Sequence, residues 1–183
     1  MRRTVLAGAS LAIVVAACSG SMTPAEYVEG LNALVATGRS DLEASVVAYG
    51  QIAEPTLDES VAFIEREIAI RSEFLEGFEA LDPPDSLADV HRVLGDVLVR
   101  LLAAAEGLVA VADSVNSVEE AEQTSEFAEY QAANADGTLA CLDVQELLDD
   151  LVASGEALAD ADWIPKVGLA VRAVLGCGDI DTN

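Results

Sequence analysis

The chain carries one histidine, His91, three cysteines, Cys18, Cys141 and Cys177, and 33 carboxylates among 183 residues. Nucleophilic catalysis needs a histidine beside a serine or cysteine, with a third group to orient it. A lone His91 completes no such triad. On a helical wheel it falls beside Leu98 and Leu102, where it reads as a boundary side chain packing over a core. Di-iron bundles aim two Glu-x-x-His motifs inward, but residue 88 is alanine. The run Asn134-Ala135-Asp136-Gly137, with Asp143 beyond it, echoes a calcium loop. That loop requires an acid where Ala132 stands and a bidentate glutamate where Asp143 stands, so the run reads as a helix stop and turn. No catalytic residue, metal-ligand set or cofactor is expected, and the chain reads as a non-enzyme.

Two carboxylate features remain. Glu119, Glu122, Glu126 and Glu129 recur at helical spacings as a stripe, read as a solvated face or as a surface for divalent cations or a basic partner. Like charges at such spacings repel by a few tenths of a kcal/mol per pair. Glu67 and Arg71 fall inside an apolar arc bounded by Ile64, Ile68, Ile70, Phe74 and Phe78. Their order, glutamate first at i,i+4, is the favourable one. We expect a partly buried ion pair that fixes helix register.

The N-terminal segment has its own chemistry. Arg2 and Arg3 precede an apolar run from Val5 to Ala17, and the segment ends in Val15-Ala16-Ala17-Cys18. A short positive region, a brief apolar core and small residues before a cut site describe a secretory signal peptide. A membrane-spanning helix needs about twenty apolar residues, more than this run offers. A plain secretory cut after Ala17 would leave Cys18 unexplained. The last four residues resemble the lipobox of bacterial lipoproteins. That resemblance implies cleavage of residues 1–17, lipidation of Cys18 by palmitate-type acyl chains and an extracytoplasmic, lipid-anchored location. Leu81-Asp82-Pro83-Pro84, followed by His91, is also similar to stretches in uncharacterised bacterial lipoproteins, with no activity attached.

Removing Arg2 and Arg3 leaves seven basic residues against 33 acidic ones, a balance of −26. The basic residues are dispersed, so no patch exists to engage nucleic-acid phosphates. Anionic headgroups would repel the body as well, which leaves the lipid as the hold on the membrane. Aromatic residues make up 4% of the chain, and no stacking platform or aromatic cage is visible in the sequence. With Cys18 consumed by lipid, Cys141 and Cys177 form an even pair in an oxidising compartment, and a disulfide is expected. Closing that loop is worth about 4 kcal/mol of unfolded-chain entropy.

These groups must be carried by helices. Thr23-Pro24-Ala25-Glu26, Thr56-Leu57-Asp58-Glu59 and Ser117-Val118-Glu119-Glu120 are capping boxes, with Ser86-Leu87-Ala88-Asp89 a close variant. Between them the apolar period is helical. Tyr27, Leu31, Leu34, Leu42, Tyr49 and Ile52 share one arc, and Leu57, Val61, Ile64, Ile68, Leu75 and Phe78 share the next. A third stripe runs Leu87, Val90, Leu94, Val97, Leu98, Leu101, Leu108 and Ala112. A weakly amphipathic helix over 117–133, another from Thr138 to about Leu158 and a short last helix from Trp163 complete the set.

The expected fold is all-α: an antiparallel four-helix-bundle-like domain over 23–178, with the short C-terminal helix stapled by the disulfide. Residues 18–22 form a tether and 179–183 a tail. The expected function is a non-enzymatic binding or scaffolding module on the cell envelope, engaging an extracytoplasmic protein partner. The alternative is capture of a small ligand or divalent cation. Replacing Cys18 with alanine should move a still-folded protein from the membrane fraction to the soluble one. A variant that stays with membranes would contradict the lipid as its hold.

Overall fold

The computed structural model describes residues 21–153. The signal segment, Cys18, Cys177, the C-terminal tail and the short helix expected from Trp163 lie outside them. Among the described residues the chain is all-helical, with five helices and packing between them. They are α1 (Pro24–Gly50), α2 (Leu57–Glu79), α3 (Ala88–Val111), α4 (Val118–Ala121) and α5 (Ser125–Ala153). Short 3-10 turns at Asp85–Leu87 and Ala112–Ser114 flank α3. No helix among the described residues is long and apolar enough to cross a membrane.

Local chemistry starts most of these helices. Thr23 Oγ1 accepts from the Glu26 amide at 3.3 Å, while Glu26 Oε2 accepts from the Thr23 amide at 2.8 Å. Thr56 and Glu59 repeat the box at 3.3 and 2.9 Å. These backbone and hydroxyl donors hold both carboxyls below the usual glutamate range. Ser117 caps α4 through the Glu120 amide, but Glu120 accepts from the backbone amide of Asn116 instead of closing the box. Ser86 does not cap. It sits within the 3-10 turn that follows Pro84, and Leu87 precedes α3 without a side-chain cap. Thr124, which the capping-box spacing does not single out, accepts from the Phe127 amide at 3.2 Å and starts α5.

The helix expected over 117–133 is therefore two, and its second part is continuous with the helix expected from Thr138. The stop at Asn134–Gly137 does not occur, because α5 runs straight through it. Asn134 Nδ2 donates to the Tyr130 carbonyl one turn back, and Asp136 meets Arg100 of α3 at 3.3 Å. Gly137 faces α3, where a β-carbon would lie 3.7 Å from Val97. A glycine inside a helix costs about 1 kcal/mol relative to alanine. Burial of Ala140, Cys141, Val144 and Leu148 along α5 outweighs it.

Helix directions follow from which residues meet. Gly30 lies against Leu81, Gly77 against Leu34, and Tyr49 against Phe63, so α1 and α2 run antiparallel. Phe78 meets His91, Phe74 and Leu98 share one pocket wall, and Ile64 and Leu108 share another, which sets α3 antiparallel to α2. Gly137 beside Val97 and Leu101, with Phe127 near Leu108, sets α5 antiparallel to α3. The largest core cluster draws on all four long helices, through Tyr27, Leu31, Phe74, Phe78, Leu94, Leu98, Val144 and Leu148. It lies toward one end, where α1 begins and α2 finishes. Removing the Thr56 cap with Thr56→Ala should cost about 1 kcal/mol in urea unfolding. Ser86→Ala, which removes no cap, should stay within about 0.5 kcal/mol of the wild type.

Candidate functional site: an aromatic cavity at one end of the helices

The end of the molecule away from that cluster is filled less completely. Leu57, Val61 and Ile64, expected to be core residues of α2, are only partly buried. They line a cavity of about 180 Å³ between the C-terminal end of α1, the N-terminal half of α2, the end of α3, α4 and the start of α5. Leu108 and Val109 of α3, with Ala112 of the 3-10 turn that follows it, form one wall, while Val118, Ala121 and Glu122 close the α4 side. Tyr49, Phe63, Phe127 and Tyr130 complete the lining together with Ser60. Four of the chain's eight aromatic side chains therefore meet here, of one Trp, three Tyr and four Phe in all. No such cluster is visible in the sequence. Low aromatic content does not prevent clustering when antiparallel helices bring residues 49, 63, 127 and 130 to one end. The available signal was that all four lie near helix ends that must meet.

Hydrogen bonds hold two of these rings in place. Tyr49 stacks on Phe63 with centroids 4.3 Å apart, and its hydroxyl lies 2.8 Å from Ser60 Oγ. The Tyr130 hydroxyl donates to Glu67 Oε2 at 3.5 Å, which connects the cavity wall to a buried charge. Burial first, and then the Glu67 carboxylate, raise the Tyr130 phenol above its ordinary range, so it stays a donor.

Glu67 is 6% exposed and lies 3.5 Å from Arg71 Nη2. The Arg71 Nη1 atom is buried without a hydrogen-bond partner. The pair thus sits on the inner side of α2, and Tyr130 of α5 addresses the same carboxylate. Such a tie favours one rotation of α2 against α5 over its neighbours.

His91 is placed at the opposite end. Its ring stacks on Phe78 at 4.1 Å, and Nδ1 lies 3.0 Å from the hydroxyl of fully buried Tyr27. Desolvation lowers its pKa from the ordinary value, and the Glu79 carboxylate offsets this in part. In the neutral ring the tautomer sets the direction of this bond: Tyr27 donates to Nδ1 when Nε2 carries the proton, and Nδ1–H donates to the hydroxyl oxygen otherwise. Among the described residues, no serine, cysteine or carboxylate hydrogen-bonds to His91.

The glutamate stripe is divided. Glu119 lies on α4, Glu122 is its C-cap, and Glu126 and Glu129 lie on α5 beyond the break at 122–124. Among the described residues, no group of three His, Cys, Asp or Glu side chains is placed to hold a metal ion. Cys141 is buried in α5, with Sγ 3.3 Å from the Gly137 carbonyl oxygen. The chain matches no protein-family model, no curated protein and no solved structure.

The Glu67–Arg71 pair gives a stability test. Arg71→Met leaves a buried carboxylate without its cation and should cost about 3 kcal/mol in chemical unfolding. The double variant Glu67→Leu with Arg71→Met should recover most of that loss. A double variant as unstable as the single one would show that the charges are not coupled.

Proposed function

We propose that the protein is a bacterial lipoprotein, held by acyl chains on Cys18 at the outer side of a membrane, that binds a small, largely apolar molecule without transforming it. The α4-capped cavity carries this reading. Binding sites for small molecules are concave and mostly apolar, with a few polar groups that set orientation. Ser60, Glu122 and the two tyrosines are the polar groups here, on an otherwise apolar wall. An apolar cavity of about 150 Å³ is large enough to take up benzene, so this one suits a ligand of similar size.

The body that carries the cavity is read as a four-helix bundle of α1, α2, α3 and α5. Cys141, on the buried side of α5, pairs with Cys177 and fastens the C-terminal segment to it. Docking of an extracytoplasmic protein is the alternative use of such a body. Among the described residues, the large apolar side chains most exposed are Val46 and Val47 on α1, Val99 on α3, and Leu139 and Leu142 on α5. They are spread over three helices, whereas a docking face concentrates them.

Titration of the full chain with phenol, followed calorimetrically and by the chemical shifts of the cavity aromatics, tests the reading. Saturable binding is expected. Ala112→Leu combined with Ala121→Leu should fill the space and abolish it while leaving the unfolding temperature unchanged or higher. Binding that survives the filled variant would place the ligand elsewhere, and its absence from the wild type would remove the case for capture.

A further inference from the structure

We propose that the cavity is an aromatic cage for a small organic cation, an alkylammonium of about the size of choline. The proposal rests on reading the cavity as the binding site and adds the chemistry of its occupant. Aromatic faces carry partial negative charge and attract ammonium groups within about 6 Å of the ring centroid. Tyr49, Phe63, Phe127 and Tyr130 all line one apolar space, and because Tyr49 and Phe63 stack on each other, each of those two has at most its outer face left for a ligand. Tyr130 donates its hydroxyl to the buried Glu67 carboxylate, which pushes electron density back into the ring. An alkylammonium needs apolar surface for its carbon groups and negative charge for its centre.

The charge around the cavity has one sign. Among the described residues, Glu122 is the only ionised group on its wall, and no lysine, arginine or histidine shares that wall. An anionic ligand would be repelled by Glu122 and by the ring faces. A neutral one would gain burial but nothing from Glu122, whose exposed carboxylate at the rim attracts only a cation. The formal net charge of −24 raises the local concentration of any cation approaching the chain. A hydrated metal ion fits poorly, because four rings cannot replace its oxygen ligands. The size agrees as well. A cavity of about 180 Å³ exceeds the roughly 150 Å³ that admits benzene, leaving room for about seven non-hydrogen atoms.

The experiment compares choline with 3,3-dimethylbutan-1-ol, its neutral isostere, by calorimetric titration of the full chain at fixed ionic strength. Choline should bind about ten-fold more tightly than the alcohol. Glu122→Gln and Phe127→Leu should each weaken choline by roughly three- to ten-fold, and Glu122→Gln should leave the alcohol within about two-fold of wild type. Circular dichroism of each variant checks that the fold is retained. Equal or tighter binding of the alcohol would overturn the cation assignment and leave the apolar-cavity reading standing. Failure of choline, alcohol and phenol alike would overturn both. Choline binding that persists in the cavity-filled Ala112→Leu, Ala121→Leu variant would locate it on the acidic surface and also overturn the proposal.

Discussion

Along the whole length of α3 runs a stripe of buried side chains, Val90, Leu94, Val97, Leu98, Leu101, Leu102, Ala105 and Leu108, and the other long helices are placed by the need to cover it. No other helix among the described residues buries as much of itself. Helices α2 and α5 both pack on α3, while α1 lies against α2. Removing such a stripe from water contributes about 25 cal/mol for each Å² of apolar surface. That term exceeds the cost of carrying Gly95 and Gly107 within α3, or Gly137 in the facing helix. At Gly137 a β-carbon would make ordinary van der Waals contact with Val97 and Leu101, so α5 and α3 pack there at normal distance and the glycine is tolerated rather than required.

The stripe is covered unevenly. Toward the start of α3 it meets Tyr27, Leu31, Phe74 and Phe78, which fill the interior and leave His91 stacked at the margin. Toward its end, around Leu108, the rings of Tyr49, Phe63, Phe127 and Tyr130 surround space rather than fill it. The Glu67–Arg71 pair lies on α2 between these regions. A carboxylate so far inside is tolerable because Arg71 and Tyr130 both address it. The same contacts tie the start of α5 to the middle of α2, which holds one wall of the cavity at a set distance from the other.

Much of this is legible in the residues. The α3 stripe follows helical period, and Thr23 and Thr56 cap the helices that their glutamates predict. Glu67 and Arg71 stand out because two charges interrupt an apolar arc. Local signals failed where packing or a competing turn prevailed. Asn134-Ala135-Asp136-Gly137 has the composition of a stop, but Asn134 bonds back along the helix and Gly137 faces a neighbour. Ser86 has the spacing of a cap, but Pro84 leads the chain into a 3-10 turn in which Leu87 precedes the helix. The glutamate stripe assumes one helix over 117–133, whereas Thr124 caps a new one and splits it. The four rings of the cavity come from three helices, and no single window of sequence contains them.

The proposed lipid tether and the cavity are related through α1. Met22 follows Cys18 by four residues, and its amide donates to the Asp82 carbonyl at 3.0 Å, in the connection between α2 and α3. Four extended residues span at most about 14 Å. A lipid on Cys18 would therefore hold the filled end, near Tyr27 and His91, close to the membrane. Tyr49 stands at the other end of α1, whose 27 residues rise about 40 Å. The cavity would then lie away from the lipid surface, toward the aqueous space that a small ligand crosses. Repulsion between an acidic body and anionic headgroups acts in the same direction, since it disfavours the molecule lying flat. In that arrangement the tightly packed end would meet the proposed anchor, and the hollow end would remain accessible.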